Sequence, residues 1–305
     1  MEKQIHTEAD FRAYLRERSN WGRWGADDEL GTLNLITPAK RAAAARLVRR
    51  GATVSLSRML SATPGPENAR PALHGMRVFD LGYAKAAGDF FGLEFHAATS
   101  THIDALCHYW DDAGLYNGKD PQEQITFEGA RFGGIERWGD GIVTRGVLLD
   151  IPRLRGTPFV RQDQPVRGED LEEAARRQGV SIGPGDALCV YSGREAWHAA
   201  DPQEHLIQAH RPMPGLHASC LPFLRERDIA VLVWDLMDAR PSGFSFGAPI
   251  HATIFAFGLA LLDNALLEPL AQACAAASQY EFLLVIAPLK IPGGTGSPVN
   301  PIAVL

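Results

Sequence analysis

Nine residues restrict this chain more than any others: Ser100-Thr101-His102-Ile103-Asp104-Ala105-Leu106-Cys107-His108. On an extended strand successive side chains alternate between faces, so His102 and Asp104 share one face while Ile103 points to the other. His108 has the same parity and meets them if the segment stays extended or bends once. The same alternation points Cys107 away from His102, Asp104 and His108. Imidazole and carboxylate are ligands that zinc and manganese accept. A single strand histidine is more often a hydrogen-bonded structural residue; three titratable groups in one alternating run point to a site.

The same segment carries a resemblance. The chain resembles the putative cyclase superfamily, which includes bacterial kynurenine formamidases and isatin hydrolases and whose signature reads His-x-Gly-Thr-His-x-Asp-x-x-x-His. Thr101, His102, Asp104 and His108 match it position for position, whereas Ala98 stands at the first His and Ser100 at the Gly. Further blocks are similar to family segments in the right order: Trp24 to Asn34, Leu115-Tyr116-Asn117-Gly118, Gly146 to Asp150, Pro214-Gly215-Leu216 and Gly296 to Pro301. The likeness is to the longer cyclase-like branch and spans the chain.

The resemblance implies a metal shell of His102 and Asp104, completed by a His near the start of a late helix and an acidic residue twelve positions on. His251 and Asp263 stand at that spacing, with Asp where the family more often has Glu. The shorter side chain requires a small shift of the helix or an intervening water; Asp263 also reads as an ordinary polar residue of an amphipathic helix. His96 lies six positions before His102 with the same strand parity. It reaches the vacancy at Ala98 if the segment bulges, or it is a plain core or surface histidine.

The family analogy assigns His108 the general acid/base role, and Zn2+, or alternatively Mn2+, as cofactor. The implied activity is a metal-dependent hydrolase, in which an activated water cleaves an amide or lactone bond of a small aromatic or cyclic carbonyl metabolite. Trp24, Trp110 and His217 are candidate substrate contacts, and Trp21, Phe90 and Phe91 further aromatic wall residues. The other reading is a divergent, metal-free binding protein or cyclase/dehydratase. The resemblance also implies a homodimer or homotetramer.

Composition narrows this little. The chain has 305 residues, 46% hydrophobic and 22% charged, ordinary for a globular protein. A net charge of -6 argues against nucleic-acid or membrane partners, because the one basic run, Arg46-Leu47-Val48-Arg49-Arg50, reads as a solvated helix end. Cys107, Cys189, Cys220 and Cys274 are scattered among apolar neighbours without a CxxC pair and read as buried free thiols of a reducing compartment. The amino terminus lacks an apolar leader-like run and no window approaches a membrane span, so a cytoplasmic location is expected.

No repeat, low-complexity linker or break in composition divides the chain, and one domain over 1–305 is expected. The pattern is α/β: a helix over 37–50 stopped by Gly51, a strand over 52–56, a helix from Gly168 closed at Gly179, strands over 187–191 and 229–234, helix over 250–277 interrupted near Pro269, and a strand over 280–286. The family fold implied is the swivelling β/β/α architecture, a β-barrel-like core of mixed strands wrapped by helices. Gly293-Gly294-Thr295-Gly296-Ser297 lacks the Lys-Ser/Thr ending of a phosphate loop and reads as a turn that packs the carboxyl terminus near the site. Ser192-Gly193 is not a nucleophile elbow.

Overall fold

The computed structural model describes residues 5–200 and 212–305. Its thirteen described strands are β1 (Thr53–Ser55), β2 (Leu73–Asp80), β3 (Lys85–Gly92), β4 (His102–Asp104), β5 (Ile125–Thr126), β6 (Gly129–Ala130), β7 (Ile142–Asp150), β8 (Ala187–Tyr191), β9 (Val231–Trp234), β10 (Ala260–Asp263), β11 (Glu281–Ile286), β12 (Gly296–Pro298) and β13 (Ile302–Val304). Nine of them form one curled mixed sheet in the order β1-β13-β11-β7-β8-β9-β10-β4-β12, a half-barrel with helices against both faces. This is a mixed α/β architecture.

The middle of the sheet, β7 to β10, is parallel, and the strands at both ends run antiparallel. Parallel strands covered on both faces read as continuous apolar runs, which is why 187–191 and 231–234 show no alternation of apolar with polar residues. Alternate side chains of these strands enter two separate cores. Cys189, Val231, Val233, Leu262 and Ile103 pack on one side, while Leu188, Leu232, Trp234 and Leu261 pack on the other with the helices Gly168–Gln178 and Ala252–Phe257. Asp104, His102 and Asp263 project from this second face.

Several sequence expectations hold in detail. Gly168–Gln178 is a helix that ends on Gly179 in the left-handed conformation, φ +68°. Strands stand at 187–191, 231–234 and 281–286. Two differ. The helix expected over 37–50 is Pro38–Ala45, because beyond it the backbone is tied to distant partners: the Leu47 carbonyl accepts from Gln279 Nε2, and Arg50 N–H donates to the Leu305 carbonyl. The stretch expected as helix over 250–277 contains a strand. Ala252–Phe257 stops at Gly258, φ +66°, and Ala260–Asp263 then pairs between β9 and β4 before the helix Glu268–Ala277 begins. Asp263 is therefore a strand residue, not a helix residue. A buried apolar run of this length carries no period that separates strand from helix.

The four cysteines are buried and free. No described helix is long and apolar enough to cross a membrane.

Candidate metal centre and active site

The register of three strands assembles the site. β4 lies between β10 and β12, with Asp263 and Pro298 opposite His102 and with Leu261 and Gly296 opposite Asp104. Directly opposed residues share a face, so Asp263 comes beside His102 although the two are distant in the chain. Gly296 is required by the closeness of this pairing. A Cβ there would meet the Ile103 carbonyl oxygen at 2.5 Å and His96 Cε1 at 3.1 Å. Thr295, next to it, fixes His96 by a 2.9 Å contact between its hydroxyl and Nε2. The glycine-rich turn thus does pack the carboxyl-terminal segment against the site.

His96, His102 and Asp104 bring one ligand atom each within 4.8 Å of one another, and Asp104, His251 and Asp263 do the same. Asp104 is common to both groups. Its side chain is wholly buried, and neither carboxylate oxygen has a hydrogen-bond partner. His96 Nδ1 lies 3.1 Å from Asp104 Oδ1 without the alignment of a hydrogen bond and is itself buried and unsatisfied. His102 Nε2 stands at 3.5 Å from the same oxygen, and His108 Nε2 at 3.9 Å from Oδ2.

Each of three imidazoles has one nitrogen fixed and the other turned to these carboxylates. Thr295 holds His96 Nε2, the Ser100 carbonyl holds His102 Nδ1 at 2.9 Å, and the Asp238 carboxylate holds His251 Nδ1. His251 Nε2 is hydrogen-bonded to Asp263 Oδ2 at 3.2 Å, while Trp234 Nε1–H donates to Asp263 Oδ1 at 2.5 Å. Outer partners that set tautomer and ring direction are what metal-binding histidines possess. Leaving a buried carboxylate unpaired is costly, and a cation removes that cost. The donors present fit a divalent metal.

Charge follows the same geometry. Burial favours the neutral form of Asp104, yet His108, His96 and His102 around it outweigh burial and hold its carboxyl below the usual range. Burial likewise opposes charge on His251, but Asp263 and Asp238 on its two sides keep it well above the ordinary imidazole value. His108 goes the other way: burial lowers it to about 4 against the opposing pull of Asp104. It is neutral at pH 7. Its ring stacks on His96 with centroids 3.8 Å apart and planes 2° from parallel.

These groups face a cleft of about 380 Å3. His96, His102, His108, His251 and Asp263 line it, together with Tyr109, Ala97, Ala98, Met237, Glu67 and Arg70. His102, Asp104, His108, His251 and Asp263, marked by the sequence pattern, thus converge on one place. His96 joins them, and Ala98 remains a small wall residue packed on Trp197, Met213 and Leu236.

Trp24, Trp110 and His217 are not among the lining residues. Trp24 is half-buried under the Arg23 guanidinium, Trp110 is exposed, and His217 starts a short helix where its ring accepts from Ser219 N–H. Trp21 lines another cleft, and Phe90 and Phe91 lie on β3. The aromatic wall of the cleft is Tyr109, whose ring lies 5.4 Å from that of His251. Sequence reasoning also missed Asp238 and Trp234. Asp238 follows a buried strand in Trp-Asp-Leu-Met-Asp, a run with no spacing rule that ties it to a histidine thirteen positions on.

The likeness to known proteins extends over most of the chain. The family described as Putative cyclase matches residues 31–239. Among solved structures, a protein described as a novel cyclase is 33% identical, with TM-score 0.83 and coverage of 94% of this chain and 99% of that one. Isatin hydrolase A from Labrenzia aggregata, bound to benzyl benzoate, is 18% identical, with TM-score 0.56 over 85% of this chain and 94% of its own. Isatin hydrolase A from Ralstonia solanacearum is 18% identical, with TM-score 0.56 over 87% and 95%. No curated protein matches.

Proposed function

Since this chain belongs to the putative cyclase family, we propose that it is a metal-dependent hydrolase that opens an amide or lactone bond in a small aromatic or cyclic carbonyl compound. The observation that carries this reading is the Asp104 carboxylate, fully buried with both oxygens unsatisfied and ringed by imidazoles whose other nitrogens are already fixed. His96, His102, Asp104, His251 and Asp263 are the residues that would hold a zinc ion, or alternatively manganese. When bound, such a metal makes water a nucleophile near neutral pH and polarises a carbonyl.

His108 takes the proton from the attacking water and returns it to the departing nitrogen or oxygen. Its low pKa, about 4, keeps the ring free to accept at neutral pH, and its stacking on His96 fixes its direction. Asp238 holds the proton on His251 Nδ1 and so leaves Nε2 as the donor atom facing Asp263. Tyr109 and the small residues Ala97 and Ala98 line the cleft and offer apolar contact to an aromatic ring. A cleft of about 380 Å3 lies at the small end of ligand pockets. An aryl formamide, an isatin-like cyclic amide or an unsaturated lactone is the expected substrate class; the shared fold with the isatin hydrolases supports testing isatin first.

Metal analysis of protein purified without chelator, combined with hydrolysis assays on these three substrates, tests the reading. Near-stoichiometric zinc or manganese, and activity lost to a chelator and restored by metal, are expected. Protein that carries no metal and gains no stability when metal is added would instead be a metal-free binder or cyclase.

A further inference from the structure

The two imidazoles nearest Asp104, those of His96 and His102, are joined by a turn over 97–100 that belongs to no helix or strand. Such a turn has no ladder of backbone bonds to fix it, so its buried carbonyl groups need other partners. Two side chains supply them. Arg194 Nη2 donates to the Ala98 carbonyl at 2.7 Å, and Asn264 Nδ2 donates to those of Ala97 at 2.9 Å and Ser100 at 3.3 Å. The pair is linked, because Arg194 Nη1 donates to Asn264 Oδ1 at 2.8 Å. The Ser100 carbonyl is also the group that holds His102 Nδ1. A carbonyl oxygen has two lone pairs, so it serves the imidazole and Asn264 together.

Both side chains are fixed from behind. Arg194 is 2% exposed, and its backbone N–H, with those of Ser192 and Gly193, donates to the buried Asp235 carboxylate. Asn264 is wholly buried and follows Asp263 at the end of β10 in the left-handed conformation, φ +56°. Asn adopts that conformation more readily than other residues with a side chain. Its own carbonyl accepts from Thr101 Oγ1 at 2.8 Å and from Arg58 Nε at 2.9 Å. Burying a guanidinium is costly, and a buried ionic network is often no more stable than apolar residues of the same volume. A planar fork gives geometry instead, since it donates to Ala98 and Asn264 at once.

We propose that Arg194 and Asn264 are positioning residues that clamp the turn between His96 and His102 and so set the separation of the two imidazoles and their aim at Asp104. The purpose given to the clamp rests on the metal reading above; the clamp itself is built without metal. Ligand atoms have to be held within ~0.5 Å of the productive geometry, and an unclamped turn does not hold them so.

Two substitutions test it. Arg194→Lys keeps the charge but replaces the fork by a point donor, and Asn264→Gly removes the amide while keeping a residue that accepts the left-handed backbone. Neither changes the net charge, so a change in metal affinity is not coulombic. Zinc competition with a chromophoric chelator is expected to show ~10–100-fold weaker binding in each, the usual cost of losing an outer partner of a metal ligand, and the visible spectrum of the cobalt-substituted protein is expected to change. Leu171→Val, which loosens the core under the helix Gly168–Gln178, is expected to lower the melting temperature without either effect. Native zinc affinity with a native cobalt spectrum in the folded variants overturns the proposal, and so does an equal loss of affinity in Leu171→Val. Hydrogen exchange on the unaltered, metal-free protein decides the matter if neither variant folds. Slow exchange of the amides of 97–102 is expected there, and exchange at the rate of an open loop overturns the clamp. Slow exchange in an unaltered protein that takes up no zinc overturns the metal reading, and with it the purpose given to the clamp.

Discussion

Ala98 is packed against Trp197, Met213 and Leu236, so an imidazole placed there must displace buried carbon before it can approach Asp104. Spacing alone makes Ala98→His a way to restore a ligand; packing reverses the expectation. The variant should leave the metal dissociation constant unimproved and cost about 1–3 kcal/mol of stability through overpacking, which chelator competition and thermal unfolding measure together. His96→Ala, by contrast, should weaken metal binding, because its Nδ1 is the buried, unsatisfied donor nearest Asp104. Unchanged affinity in His96→Ala would assign that histidine to packing. His102→Ala should lose metal and activity together. His108→Ala should retain metal and lose a factor of ~10²–10⁴ in turnover, the usual share of general acid/base catalysis; loss of metal instead would make His108 a ligand. At this scale the sequence was informative about residue type and parity, and silent about which vacancy a neighbouring side chain fills.

A three-residue strand, β4, carries the centre of the site, and it holds its place only because β10 and β12 flank it. The tightest point is Gly296 over Ile103. Gly296→Ala puts a methyl 2.5 Å from a backbone oxygen, which no rotamer change relieves, so β12 must move away from β4 and take Thr295 with it. The expected result is a loss of about 2–3 kcal/mol in denaturant unfolding and weaker metal binding, since Thr295 no longer fixes His96. A variant with native stability and native affinity would show that the β12 contact does not position the site. The helix expected across 250–277 shows how far an element depends on its neighbours. His251 does start a helix, as the resemblance implied, but that helix stops at Gly258 and not near Pro269. The next element, β10, is a strand because the sheet has an open position between Val231–Val233 and His102–Asp104, and tertiary pairing overrides a run of leucine and alanine that favours helix locally.

In the whole molecule the site joins parts far apart in the chain: the segment at 96–108, Asp238 after β9, the helix start at His251 with β10, and the turn at Thr295. A metal bound only when these parts are assembled stabilises the assembled state by mass action. Zinc or manganese at a hundredfold excess over its dissociation constant should therefore add ~2.7 kcal/mol, a rise of several degrees in Tm, and His102→Ala should abolish the rise. Equal melting with and without metal would separate folding from the site. The sequence by itself determined the alternation that sets His102 and Asp104 against Ile103, the apolar strands, the helix stop at Gly179, and the family signature, because these depend on local geometry and on residue type. Only the tertiary structure decided that Asp263 comes from a strand, that His96 rather than Ala98 faces Asp104, that Asp238 and Trp234 orient the outer groups, and that Tyr109 instead of Trp24, Trp110 or His217 lines the cleft. Those outcomes depend on strand register and on which packed side chain excludes another, and such long-range choices leave no period in the chain.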